Sequence, residues 1–366
     1  MAAGWLQYGL FGKTRVASTF PYQMVGQARR FINIFRDVPQ LRQHRKGLLR
    51  DGKSVGLVPT MGALHDGHLS LIREAAKGND KVFVSIYVNP TQFGVNEDLD
   101  SYPKTWERDL QLLSELNASL GQDGPIDTIF APTTKVMYPT LPPDSTLPGA
   151  GSFVTITPLG NLLEGRSRPV FFRGVATVCM KLFNIVAPER VYFGQKDIQQ
   201  TVVIKRMVKD FHLDTEVRVI PTEREKDGLA MSSRNVYLGE RRRKVGIVLR
   251  HALRAAEDAY LVGGKRARDE ILAQAWEVTN RVAMEQGEMA AAERANFEVD
   301  YLSLADPESL EEIDVVDEQK GAVLSGAVKM LPLDEVKDNE KLGLGADRVA
   351  VRLIDNIVLP PESRRT

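Results

Sequence analysis

Residues 55–76, VGLVPTMGALHDGHLSLIREAA, place an apolar run, a glycine turn, two histidines and an amphipathic stretch in that order. Val55, Leu57 and Val58 form a short run suited to the middle of a parallel sheet, and Pro59, Thr60 and Gly62 end it. Leu69, Leu71, Ile72, Ala75 and Ala76 then supply the apolar stripe of a helix that packs back on the sheet, with its first turn near Asp66–His68 facing outward. Free N–H groups and the positive end of the helix dipole favour an anion there, and His65 and His68, three apart, can both donate to it. Gly67 keeps that wall low, so a ligand can approach the backbone. The strand, turn and helix together predict a nucleotide site.

Three further stretches carry polar groups beside predicted strands. VFVSIYVNPTQF, residues 82–93, delivers Asn89 and Gln92 at a strand's carboxyl end, where open α/β sheets bind ligands and where amides suit a hydroxy acid, or simply a turn at Asn89-Pro90. RVYFGQKDIQQ, residues 190–200, sets Lys196 and Asp197 at a helix start; the lysine suits phosphoryl oxygens, and the aspartate either caps the helix or holds a magnesium-bound water. DGLAMSSRN, residues 227–235, groups two hydroxyls and the Arg234 guanidinium in a loop fit to grip phosphate. The HDGH of residues 65–68 resembles the HxGH or HIGH signature of nucleotidylyl transferases and class I synthetases, and Met231-Ser232-Ser233 resembles the KMSKS loop that partners it.

Taken together, PTMGALHDGH, YVNPTQF, the Phe193–Gln200 stretch and DGLAMSSRN resemble the pantothenate synthetases, the pantoate and β-alanine ligases, from about Val55 to Leu238. The likeness resumes at FEVDYLSL, residues 297–304, and RLIDN, residues 352–356. It implies that ATP and pantoate form pantoyl adenylate and pyrophosphate, and that the β-alanine amine then attacks the acyl carbon and releases AMP. ATP as co-substrate and Mg2+ are the implied cofactors, with the metal's ligands unassigned. The resemblance puts ATP phosphates on His65 and His68, with His68 at the position of the family's catalytic acid. Lys196, Ser232, Ser233 and Arg234 stabilise the migrating charge, and Met61, Gly62, Gly67, Gly194, Asp197 and Met231 line the nucleotide site. Gln92 and Gln200 hold pantoate, with Pro59, Met61 and Asn89 beside them; the substrates share this region. It also implies a homodimer. Two readings compete with the ligase: another HIGH-type nucleotidylyl transferase, and a non-catalytic nucleotide-binding protein.

The chain departs from the family pattern at Gln195, where many members carry Glu, and at Phe171 in RPVFFRG, residues 168–174, where the family has His. Glu164 and Arg168 are read either as walls over the site or as a surface loop. Gly47–Ser54 matches GxxxxGK[ST] formally, but it precedes a strand instead of following one, so it reads as a helix end and turn.

The 366 residues suit two domains of about 150 each, and a formal charge of zero, with 48 basic and 48 acidic residues, gives no basic field for nucleic acid or an anionic membrane. No apolar run reaches the roughly twenty residues of a membrane span. The single cysteine, Cys179, lies on the apolar stripe Val175, Val178, Leu182, Phe183, Val186 and reads as core, while His44, His212 and His251 lack metal-ligand spacing. Residues 1–36 contain no acid but include Lys13, Arg15, Arg29, Arg30 and Arg36, which fits a mitochondrial transit peptide; Ile32, Ile34 and Phe35 also fit a helix of the folded domain, which favours a cytoplasmic protein.

Strands near Val55, Val82, Ile129 and Val191 alternate with helical patterns, predicting an α/β fold with a Rossmann-like, doubly wound parallel sheet in residues 1–221, of which 1–30 read as an extension. The 217–220 strand leads out of it. Residues 222–366 change texture, with helices over 241–261 and 267–284 and strands near Val299, Val323 and Val349, predicting a smaller C-terminal α/β domain that closes as a lid over ATP. Residues 119–125, 140–152 and 284–296 read as surface insertions.

Overall fold

A computed structural model describes residues 32–94, 99, 102–121, 125–143, 146, 149–344 and 349–364. The basic positions Lys13, Arg15, Arg29 and Arg30, and parts of the 119–125 and 140–152 insertions, lie outside the described residues.

Six strands form the first sheet: β1 (Asn33–Phe35), β2 (Val55–Thr60), β3 (Lys81–Ile86), β4 (Ile126–Phe130), β5 (Arg190–Gly194) and β6 (Glu216–Ile220). Their order is β1-β4-β3-β2-β5-β6 and every pairing is parallel. Period-two alternation sends the strand side chains to opposite faces. Leu57, Phe83 and Val191 pack under α1 (Val38–Arg50), α6 (Phe171–Val186) and α7 (Ile198–Asp210), while Val58, Val82 and Val84 pack under α2 (Asp66–Gly78) and α3 (Trp106–Ser119). Helices on both faces make the sheet doubly wound, as the repeated apolar runs predicted. The winding runs outward from β2 to β3 to β4, and resumes on the other side of β2 with β5 and β6. The direction therefore reverses between β2 and β5, the place where such sheets open a crevice for ligands.

One reading of this half changes. Residues 32–35 are not helical: β1 pairs with β4, Asn33 facing Thr128 and Phe35 facing Phe130, so tertiary pairing overrides the local pattern. The strand at 217–220 is the last of the sheet, Val217 pairing with Val191, and the chain leaves this half after it, as expected. The formal P-loop pattern is, as read, the end of α1 and a turn, with Gly52 at φ 64°.

Buried Arg45 ties the base of this half together. It donates to the carbonyls of Val186 (3.1 Å) and Ala187 (2.9 Å) and to Glu189 (2.6 Å), whose second oxygen accepts from the Val55 N–H at 2.6 Å. One guanidinium thus joins α1, the end of α6 and the starts of β2 and β5.

After two short helices, α4 (Thr134–Met137) and α5 (Glu164–Ser167), and the rest of the first half, the chain forms α8 (Glu240–Gly246), α9 (Val248–Leu261) and α10 (Arg268–Glu288). These pack against an antiparallel sheet of β7 (Phe297–Ala305), β8 (Ala322–Met330) and β9 (Val351–Leu359). The helix expected over 241–261 breaks after Gly246, and α10 runs to Glu288, so the first residues of the supposed 284–296 insertion are helical. Buried Gln286 explains that extension, since its side-chain oxygen accepts from the Ala295 N–H at 2.9 Å. No helix among the described residues is long and apolar enough to cross a membrane.

Because truncating Arg45 leaves three carbonyls, of Lys53, Val186 and Ala187, and a carboxylate without their charged donor, Arg45→Ala is expected to cost about 3 kcal/mol in chemical denaturation. A loss below about 0.5 kcal/mol would show that the guanidinium is not the tie described.

Candidate active site

The crevice at the reversal point is a cavity of about 220 Å³. It is walled by the loop after β2, the segment after β3, the turn after β5, α6, and the 221–234 stretch that follows β6.

The loop after β2 is built by backbone constraint. Gly62 has φ 83°, a left-handed turn, and its N–H donates to Thr60 Oγ1 at 3.2 Å. Ala63 and Leu64 donate their N–H groups to the buried carboxylate of Asp109 (3.0 and 2.9 Å), which fixes the path into α2. His65 is then the N-cap of α2: its Nδ1 accepts from the Gly67 N–H at 3.2 Å, and His68 Nδ1 accepts from the His65 N–H at 3.4 Å. Two histidines form a reciprocal cap of the kind usually made by Ser and Glu. A side chain at Gly67 would meet the His65 ring at 2.9 Å, so the missing Cβ makes room for the imidazole as well as for a ligand.

This cap decides the state of both rings. Burial, and then the cationic Lys196, push the His65 pKa down to about 4; burial, then His65 and Lys196, push His68 down to about 3. Both are neutral at pH 7, and a neutral imidazole whose Nδ1 accepts carries its proton on Nε2. The two rings, 4.1 Å apart at their centroids, are hydrogen-bond donors through Nε2 at the positive end of α2.

Opposite them, the turn Gln195–Asp197 after β5 carries Lys196, whose Nζ lies 3.5 Å from Asp197 Oδ1. Asp197 makes no side-chain cap on α7, so of its two expected roles the capping one is not seen. Ser232 caps a 3₁₀ turn, Ser233–Tyr237, by accepting from the Arg234 N–H at 3.2 Å, and Ser233 Oγ lies 3.3 Å from the Tyr102 hydroxyl.

At the carboxyl end of β3, Asn89 is 1% exposed and its amide is engaged on every side. It donates to Gln92 Oε1 (3.1 Å) and the Gly174 carbonyl (3.2 Å), and accepts from Thr91 Oγ1 (3.0 Å) and the Tyr138 hydroxyl (2.7 Å). Its work in this structure is to orient Gln92, whose Nε2 points to Met61 Sδ at 3.0 Å.

Every residue to which the resemblance gives a nucleotide or substrate role lines this cavity except Gly62, which shapes the loop from behind: Pro59, Met61, His65, Gly67, His68, Asn89, Gln92, Gly194, Lys196, Asp197, Gln200, Met231, Ser232, Ser233 and Arg234 all face it. Arg168 is also on the wall, its guanidinium 3.7 Å from the centre of the Phe171 ring, the residue that replaces histidine. Glu164 is buried beneath it and bonded to Arg168 and Arg352, not part of a free surface loop. Cys179 reaches the wall from α6, and burial lifts its thiol to about 12, so it is unreactive packing. Sequence reasoning missed Asp109, Tyr102, Thr222 and Glu223, isolated polar residues with no motif around them. Among the described residues no three His, Cys, Asp or Glu side chains gather as a metal site.

Residues 33–358 match the family model described as pantoate-beta-alanine ligase. The chain belongs to the pantoate–β-alanine ligase family. As a ligase of that family it is 42% identical over 340 residues to the pantoate–β-alanine ligase of Saccharomyces cerevisiae, an alignment that covers 90% of this chain and all of the relative. The fold superposes on the crystal structure of pantothenate synthetase from Thermus thermophilus with a TM-score of 0.71 at 36% identity, covering 90% of this chain and 100% of that one. The pantoate-beta-alanine ligase of Francisella tularensis, solved as a complex with beta-gamma ATP and beta-alanine, gives a TM-score of 0.63 at 30% identity, over 90% and 98% of the chains.

The depressed histidines set a sign for stability. Unfolded imidazoles ionise near pH 6.5 and the folded ones near 4 and 3, so below 6.5 the unfolded chain binds protons that the folded chain does not. Stability contributed by the neutral rings is complete above pH 6.5 and falls as the pH drops toward 3. Denaturation midpoints compared at pH 7.5 and 5.0 are expected to fall less in a His65→Asn/His68→Asn double variant than in the native chain, and equal falls would place the titration elsewhere.

Proposed function

We propose that the chain makes pantothenate from pantoate and β-alanine with consumption of ATP, by way of a pantoyl adenylate. The carrying observation is that two neutral Nε2–H donors at a helix start face Lys196 and Arg234 across one cavity. The ligation itself follows from membership in the family. A carboxylate is a poor acyl donor to an amine, and adenylation gives it a good leaving group, so the protein has to position reactants and absorb migrating charge.

His65 and His68 donate to the triphosphate without carrying charge, while Lys196, Ser232, Ser233 and Arg234 meet the negative charge that builds on the departing pyrophosphate. Buried and neutral in the unliganded site, His68 meets the triphosphate as a hydrogen-bond donor. Gln92, held by Asn89, and Gln200 hold pantoate deep in the cavity beside Met61. Magnesium binds proteins through one or two carboxylates together with substrate phosphates, which suits the exposed carboxylates of Asp197, beside Lys196, and Glu223 on the cavity wall. The part of the chain after residue 221 acts as the lid domain over the parallel-sheet half, since the loop bearing Ser232–Arg234 opens it and closure would keep water from the adenylate. A homodimer and a cytoplasmic location, with a mitochondrial one as the alternative, complete the reading. Sedimentation and imaging of the tagged full chain decide these two points.

Incubation with Mg-ATP, pantoate and β-alanine is expected to give AMP and pantothenate in equal amounts, and neither when a substrate is omitted. A stable nucleotidyl product would favour a transferase instead. Lys196→Ala is expected to keep the fold and lower adenylation by about 100-fold or more; near-native turnover would remove the lysine from its role.

A further inference from the structure

The C-terminal strand β9 reaches the loops around the cavity through two consecutive side chains that no substrate role explains. Asn356 is 1% exposed, and its Nδ2 donates to the carbonyls of Gln195 (2.8 Å) and Lys196 (2.9 Å) while its Oδ1 accepts from Gln195 Nε2 at 3.1 Å. The whole amide is engaged by the turn that carries Lys196. Asp355, pointing to the other face of the strand, accepts both ends of the Arg224 guanidinium (2.6 and 2.9 Å) and the Asn356 N–H (2.8 Å). Arg224 pairs across a bridge with Ala230 and donates to the Gly228 carbonyl at 3.1 Å, and Met231 N–H donates to the Glu223 carbonyl at 3.0 Å. That hairpin leads directly into Ser232–Arg234.

We propose that Asp355-Asn356 is a positioning pair that sets the distance between the two phosphate-facing loops, Asn356 holding Lys196 and Asp355 holding the Ser232–Arg234 loop. The strand is a rigid ruler because Ser325 and Gly326 of β8 pair with Asn356 and Asp355, so both residues are fixed by the sheet ladder. Neither residue lines the main cavity, so neither touches the reacting groups. Their effect is on where the charge-stabilising groups stand when the pyrophosphate leaves, and transition-state stabilisation is steeply sensitive to such placement. The assignment rests on the phosphate-facing role of Lys196 given above.

Steady-state kinetics on folded variants test it, with Lys196→Ala measured alongside. Asn356→Ala is expected to lower kcat by about 10- to 100-fold while leaving KM for pantoate within about threefold, since Gln92 is held by Asn89 at the end of β3 and Gln200 stands within the body of α7. Asn356→Asp puts a carboxylate against two carbonyl oxygens; its kcat relative to the native chain is expected to rise as the pH is lowered, when the protonated acid donates again, a response that mere destabilisation would not produce. A folded Asn356→Ala with kcat within twofold of native overturns the proposal. Should that variant fail to fold, Gln195→Ala, at a half-buried position, reports instead: a kcat about two- to tenfold lower supports the clasp and an unchanged kcat overturns it. Near-native activity of Lys196→Ala would overturn the reading of the site itself, a separate outcome from an inactive Lys196→Ala beside a normal Asn356→Ala.

Discussion

The site depends on the parting of β2 and β5. These neighbouring parallel strands send their continuing chains to opposite faces of the sheet, α2 to one and α7 to the other, and the gap at their carboxyl ends must be filled by something other than helix. Unpaired N–H groups at the start of α2 open into that gap, which makes it attractive to anions before any side chain is considered. At the opposite end of the strands the buried Arg45 network ties the starts of β2 and β5 together through Glu189.

Within the crevice, neutral and charged donors are kept apart. The groups nearest the helix start are neutral imidazoles, and the formal cations, Lys196, Arg168 and Arg234, stand on the other walls. Neutral donors can approach polyphosphate without the cost of burying two more positive charges next to Lys196, and that lysine itself helps keep them neutral. The cap fixes the tautomer, each Nδ1 accepting from a backbone N–H, while burial and the nearby Lys196 disfavour protonation.

Much of this was legible along the chain. Apolar runs near Val55, Val82, Ile129 and Val191 are the four inner strands of the parallel sheet, and the polar residues that follow the first, second and fourth of them line one cavity. Each of those signals is local: a strand buried on both faces is continuously apolar, and a turn that meets a ligand is short and polar. Illegible was the edge at β1, which is three residues long and exists only because β4 offers it hydrogen bonds. The roles of Asp109 and of Asn89 were equally hidden, because a buried side chain that organises a distant loop carries no pattern of its own.

The sequence by itself determined the strand-and-helix alternation, the residues that meet in the crevice and the chemistry they can perform, since these are written in composition and spacing over ten or so residues. Tertiary structure alone decided which imidazole nitrogen bears the proton, that Asn89 is committed to Gln92, and that β9, 160 residues beyond Lys196, grips its turn. Those are contacts that depend on how segments are brought together, and the distances that matter to them are set by how the sheets pack and not by how the residues are spaced.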